Sequence, residues 1–308
     1  MREPLTLQNF RALRYTPGKP QHAASGLVHV RAGSGLVRWG DGFAVVQDDV
    51  GGIALIRGDE VRLVRLLPVS EGEGLKANKA DFEAATVLPD GRLLVIGSGS
   101  SKGPRRKRMV ALTLDFATRV FDASALYDAL AAGLSGAELN IEGLFVRGDG
   151  LLFVQRGNGA GGKNALCEVE LARFLAWFDG HTKEPPPVRR VAPLELGRMG
   201  NVALGLTDAT LTDDGRVFVL VGAEDSPDAY QDGAILGAWL GRLEARGGDG
   251  DKTLGVELFA IHEGQALTKL KLEGLAWLGR EGRQDRFAVV ADQDDPEVPV
   301  VWAELVLG

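Results

Sequence analysis

Apolar residues arrive in short strand-length runs, each closed by a turn rich in glycine and aspartate, and the same phrase returns along the chain. Its clearest form is Leu139-Asn140-Ile141-Glu142-Gly143-Leu144-Phe145-Val146, a Gly148-Asp149-Gly150 turn, then Leu151-Leu152-Phe153-Val154-Gln155-Arg156. Runs of this length bounded by turn residues predict β-strands. An earlier copy pairs residues 35–39 with 43–47 across Gly40-Asp41-Gly42, and 53–57 and 61–67 add two strands across Gly58-Asp59. The next joins 81–88 to 92–96 through Pro89-Asp90-Gly91 and continues at 109–114. Two more follow, one at 206–211 and 216–221 around Asp213-Asp214-Gly215, the other at 272–278 and 287–290 around a turn ending near Gly282. Runs at 236–243 and 256–261 complete the former, and 298–307 extends the latter.

The turn glycines Gly42, Gly91, Gly150, Gly215 and Gly282 lie 49, 59, 65 and 67 residues apart. A β-rich repeat of this length predicts an all-β fold, one β-propeller domain over residues 1–308. The last copy offers three strands, and an unassigned strand at 5–15 would complete it and remove an exposed edge. This gives five blades closed by the N-terminal strand; six is the alternative count, with 25–30 as a further inner strand. Two short inserted helices are expected. One covers 124–132, with Ser124 as N-cap and Gly133 as stop. The other carries Leu171, Phe174, Leu175 and Phe178 on one apolar face and is capped by Gly180.

In a four-stranded meander the first and third turns share one face, while the second turn and the approach to the next inner strand share the other. The Asp-Gly turns fall on the first face, where positive φ explains their residue types. The opposite face receives Glu83, Glu142, Asp208 and Glu273, read as equivalent positions on successive inner strands. Four carboxylates converging near an axis repel one another and call for cations. Lys79, Lys271, Arg108 and Arg156 are the side-chain candidates, and a bound metal is the other. The same four acids are the candidate general bases and metal ligands, with Asp292 as a further ligand from the acidic runs at 48–49 and 292–295. The bland alternative is that each carboxylate accepts backbone N–H bonds from a neighbouring blade.

Oxygen-rich loops with few histidines favour calcium or magnesium over zinc, and no organic cofactor is indicated. The glycine- and serine-rich loop from Gly97, including Ser98, runs into Arg105-Arg106-Lys107-Arg108 and reads as an anion-binding loop or a solvated basic one. It lacks the order of a nucleotide-binding loop. Asn140, Asn158 and Tyr230 lie on the same face and join the ligand-binding set, which points to a small anionic, phosphorylated ligand. A non-catalytic scaffold for a protein partner is the competing class.

The net charge of −7 and pI near 5.3 argue against nucleic-acid binding. No stretch is long and apolar enough for a membrane span, and an acid and a proline interrupt the first residues where a secretory signal needs an apolar core, so a cytoplasmic protein is expected. The single cysteine, Cys167, sits in an apolar run and reads as core filler.

These phrases resemble a group of bacterial β-propeller proteins. The resemblance rests on residues 79–84, the Gly-Ser-Gly-Ser loop with its arginine cluster, Asn140-Ile141-Glu142-Gly143, Gln155-Arg156-Gly157-Asn158, Thr207-Asp208-Ala209 and residues 224–233. It implies the fold and the location of a site, but no activity. Glu-Gly-Leu on the inner strands is also similar, more loosely, to esterase-like phytase and calcium-dependent lactonase propellers, which implies metal-assisted ester hydrolysis. The chain lacks the lactonases' recognisable metal-binding asparagines and base histidine.

Overall fold

The computed structural model describes residues 4–18, 26–68, 79–100, 103–157, 163–225, 233–246 and 253–308. Two short strands come first, β1 (Leu5–Thr6) and β2 (Gln8–Ala12). An antiparallel sheet follows, formed by β3 (Gly33–Trp39), β4 (Gly42–Gln47), β5 (Gly52–Arg57) and β6 (Glu60–Arg65). The second comprises β7 (Phe82–Val87), β8 (Leu93–Gly97), β9 (Arg108–Leu112) and β10 (Thr118–Asp122), followed by helix α1 (Ser124–Gly133). The third comprises β11 (Ile141–Arg147), β12 (Gly150–Gln155), β13 (Ala165–Glu170) and β14 (Val188–Pro193), with helix α2 (Leu171–Phe178) before its last strand.

The fourth sheet is the largest. It holds β15 (Arg198–Met199), β16 (Val202–Leu211), β17 (Val217–Asp225), β18 (Ala234–Arg246), β19 (Thr253–Glu263) and β20 (Ala266–Leu267), and β1 joins β19 in parallel. The last contains β21 (Lys271–Glu281), β22 (Gln284–Asp292) and β23 (Val301–Leu307), with β2 antiparallel to β23. Strands β3, β7, β11, β16 and β21 each lie against the next, and β21 lies against β3. The chain is therefore all-β with a propeller-like arrangement of sheets.

Each neighbouring pair of sheets encloses a hydrophobic cluster, so the apolar side chains lie between sheets and not around one centre. This explains why second strands such as β4 and β12 read as nearly continuous apolar runs, since both of their faces are covered. Of the four Asp-Gly turns remote from the polar cluster, Gly91 (φ 85°) and Gly215 (φ 81°) carry the expected positive φ. In the other two it falls on the glycine before the aspartate, Gly40 (61°) and Gly148 (59°), and Gly42 and Gly150 begin strands.

Two local expectations are corrected. Ser124 is the first residue of α1 and not its cap; Asp122 accepts both its N–H (2.9 Å) and its hydroxyl (2.6 Å). Residues 26–30 form no sheet strand, and His29 meets Arg14 only in an isolated bridge. Cys167 is buried in β13, which pushes its thiol up to about 12. None of the described helices is long and apolar enough to cross a membrane.

Candidate functional site

Every inner strand carries a β-bulge at the same end. The unpaired residues lie between Gly33 and Gly35, Phe82 and Ala84, Ile141 and Gly143, Leu206 and Asp208, and Leu272 and Gly274. They are Ser34, Glu83, Glu142, Thr207 and Glu273. A bulge re-aims one side chain and bends the strand, and repeating it around an axis gathers those side chains in one place. Glu83, Glu142 and Glu273 are thus equivalent, as expected. Thr207, and not Asp208, takes the equivalent place in the fourth sheet.

Asp208 does something different. Its position corresponds to Gly35, Ala84, Gly143 and Gly274, which let the inner strands approach closely. A methyl group at Gly35 would lie 2.9 Å from the Glu83 carbonyl oxygen, and one at Gly143 3.1 Å from the Ala209 nitrogen. Into this narrow space Asp208 sends the one long side chain. Oδ2 accepts the N–H of Leu275 (2.7 Å) and of Leu36 (3.4 Å), and Oδ1 accepts that of Ala209 (2.7 Å). Burial raises its pKa well above the usual carboxylate range while these three donors pull it down. Asp208 is therefore the carboxylate that fits the bland reading: it ties strands together and is removed from the candidate catalytic and metal set.

A second ring lies beside the bulges. On each second strand, the residue that follows the partner of the pre-bulge residue is Asp48, Ser98, Arg156, Gly222 or Asp292. Three approach residues add Asp81, Asn140 and Lys271. Lys79 binds Asp48 and lies 3.1 Å from Asp81. Asp81 also accepts bonds from Arg106 (2.8 Å) and Ser98 (2.5 Å), and Arg106 donates to Ser100 (2.8 Å). Across the axis, Arg156 lies 3.4 Å from Glu142, 2.6 Å from Glu224 and 3.9 Å from Glu273. Asn140 donates to Glu142 at 2.6 Å. Lys271 pairs with Asp294 at 2.6 Å and lies 3.5 Å from Glu273. Gly205 has no side chain where Arg156 passes; a Cβ there would sit 3.1 Å from the guanidinium Nε.

Acids outnumber bases in this cluster, and the electrostatics follow from that. Burial, then Asp81 and Glu142, drives Glu83 well above its ordinary value. Burial raises Glu142 too, against the pull of Arg156 and Lys271. Glu273 rises to about 8 and Asp292 to about 7, burial again leading in both and Lys271 opposing it. Burial disfavours the charges of Lys79, Arg156 and Lys271, but the carboxylates around each more than offset it and hold them protonated. Asp48, Asp81 and Glu83 present oxygens that all lie within 4.8 Å of one another. Among the described residues nothing donates a hydrogen bond to Glu83.

The basic loop is less open than its sequence suggests. Arg106, and not Arg108, turns inward; Arg108 begins β9 opposite Asp122 on β10, away from the inner strands. Of the acidic runs, Asp49 pairs with Arg31 at 3.0 Å, and Asp295 accepts the Glu297 N–H at an exposed turn. Asn158 and Tyr230 lie outside the described residues. Asp81, Arg106 and Glu224 were not in the candidate set. Asp81 has a positive φ of 55° beside an inner strand, Arg106 is one of four consecutive basic residues, and Glu224 is the penultimate residue of a strand longer than the second strands of the first three sheets.

Among solved structures, the chain is similar to a streptogramin B lyase, at 12% identity and a TM-score of 0.41, over 96% of this chain and 98% of that one. A glutaminyl cyclase from Myxococcus xanthus gives 13% and 0.47 over 99% and 100%, and a PQQ-bound aldose sugar dehydrogenase from Streptomyces coelicolor gives 12% and 0.39 over 96% and 98%. At these similarities the neighbours, some of them enzymes, do not bear on what this chain does. No curated protein matches it. The profile that does match, over residues 29–307, is that of the family of unknown function DUF6929, and the chain belongs to this family.

Proposed function

We propose that the chain is a five-bladed propeller whose axial cluster binds a hard divalent cation and, through it, a small anionic ligand. The observation that carries this reading is the convergence of Asp48, Asp81 and Glu83, the last with no hydrogen-bond donor among the described residues. An all-oxygen donor set suits calcium or magnesium. Lys79, Arg106, Arg156 and Lys271 are already engaged by carboxylates, so attraction for an anion has to come from an added cation.

Hydrolysis of an ester or phosphoester is the chemistry this arrangement suits. A bound divalent ion supplies polarisation of the scissile group and a more acidic water. Glu273, raised by burial to about 8, is matched to proton transfer near neutral pH, and burial raises Glu142 beside it as well. Turnover of neutral esters, as the likeness to calcium-dependent lactonases implies, is the alternative substrate class. A non-catalytic scaffold is the second reading, favoured by the pairing of these four cations inside the cluster.

A thermal melt of EDTA-stripped protein titrated with calcium, then magnesium, tests the proposal, because a ligand that binds the native state raises the midpoint. A saturable rise that is lost in Glu83→Gln is expected, followed by a further rise with inorganic phosphate only when metal is present. A flat response to both metals would overturn the metal reading and favour the scaffold.

A further inference from the structure

A concavity distinct from the axial cluster lies between the third and fourth sheets. It is a cavity of about 320 Å³ whose apolar wall includes Phe145, Leu152, Leu166, Val217, Leu243 and Leu254. That volume falls at the lower end of what small-molecule pockets enclose. The gap has a structural origin. Between the second and third sheets, α1 and α2 fill the outer core with Leu126, Leu130, Phe174, Trp177 and Phe178. No described helix covers the junction between the third and fourth sheets, and Leu243 and Leu254, on outer strands β18 and β19, are left only half-buried.

The rim is basic. Arg147 and Arg190 line the cavity together with Glu168. Glu168 already lies 3.6 Å from Arg189. Arg147 is exposed and makes no ion pair with any described residue. An apolar trough with a guanidinium at its edge that pairs with no described residue suits a ligand that is apolar along most of its length and anionic at one end. The apolar walls gain by burying a chain, and a guanidinium meets a carboxylate with two parallel hydrogen bonds.

We infer that the junction between the third and fourth sheets is a binding site for an amphipathic carboxylate of the medium-chain fatty-acid class, with its chain against Leu152 and Val217 and its head at Arg147. The site is separate in place and chemistry from the axial cluster and does not depend on the function proposed there.

Calorimetric titration of the full chain with decanoate, below its micelle-forming concentration, tests this. One saturable site is expected, with Arg147→Glu weakening it about tenfold or more and Leu152→Trp abolishing it by filling the trough. Decyltrimethylammonium, with the same chain and the opposite charge, is expected to bind at least tenfold more weakly. Because Leu152 is buried, Leu243→Trp on the half-exposed rim serves as a second filling variant, and thermal melts verify that each variant folds. The inference is overturned if decanoate gives no saturable binding, if decyltrimethylammonium binds equally well, or if folded filling variants retain wild-type affinity.

Discussion

Asp208 and Leu36 belong to inner strands of sheets that are not neighbours, yet the Asp208 carboxylate accepts the Leu36 N–H at 3.4 Å and that of Leu275, on the intervening sheet, at 2.7 Å. One side chain thus joins three inner strands across the axis.

Asp208→Ala removes the acceptor of three buried backbone donors. A loss of about 2 kcal/mol is expected, within the cost of leaving buried groups unsatisfied. The denaturant midpoint should fall with little change in slope, and Asp208→Asn, which keeps one acceptor oxygen, should lose less. An unchanged midpoint in Asp208→Ala would return this carboxylate to the list of functional candidates.

Gly274→Ala is a steric test of the same crowding. The added methyl would meet the Val290 Cγ2 at 2.4 Å and the Gly35 carbonyl carbon at 2.9 Å. Overpacking of this kind costs about 1–3 kcal/mol. A melt that shows no destabilisation would mean that the inner strands can move apart at this level.

Stability should fall as pH rises through the neutral range. Glu273 moves from 4.5 to about 8 on folding and Asp292 from 3.8 to about 7. Between those limits the folded state holds protons that the unfolded state has released, so their contribution is complete below about pH 4 and lost on the way to pH 8. Urea midpoints from pH 5 to 9 in EDTA should therefore decline, and calcium should flatten the decline by taking the place of the protons. Identical profiles with and without calcium would contradict the metal, and a flat profile in EDTA would contradict the linkage.

Lys79 holds Asp48 and Asp81 in the absence of another cation. A single positive charge about 4 Å from a divalent ion repels it by about 2 kcal/mol even at the dielectric of water. Lys79→Met should accordingly lower the melting temperature of the EDTA-treated protein and tighten calcium binding by about tenfold or more. Calorimetry showing weaker calcium binding in this variant would place the ion elsewhere.

Much of the fold is legible in the sequence because its signals are local. The Asp90-Gly91 and Asp214-Gly215 turns, the apolar runs around them and the stripe from Leu171 to Phe178 depend on near neighbours. The site is legible only where Glu-Gly-Leu repeats literally, at Glu142 and Glu273, and by extension at Glu83. Thr207-Asp208-Ala209 looks like the same phrase with its acid displaced by one residue. The bulge decides which residue faces the cluster, and that depends on pairing with Val221 and Leu220 on the next strand. Asp81 and Arg106 meet through a fold-back of the loop between β8 and β9, and Glu224 reaches Arg156 from another sheet. No local pattern encodes such meetings.

The pairing of β2 with β23 also has a temporal meaning. Gln8 stands beside Glu304, so β2 waits for a strand synthesised almost 300 residues later. Contacts this distant in sequence form slowly, and unpaired strand edges invite association with other chains. During translation the early sheets can assemble in turn while β2 trails unpartnered. The last sheet is completed only after β23 has left the ribosome, which makes the interval before β23 emerges the period in which this chain most needs protection from its neighbours.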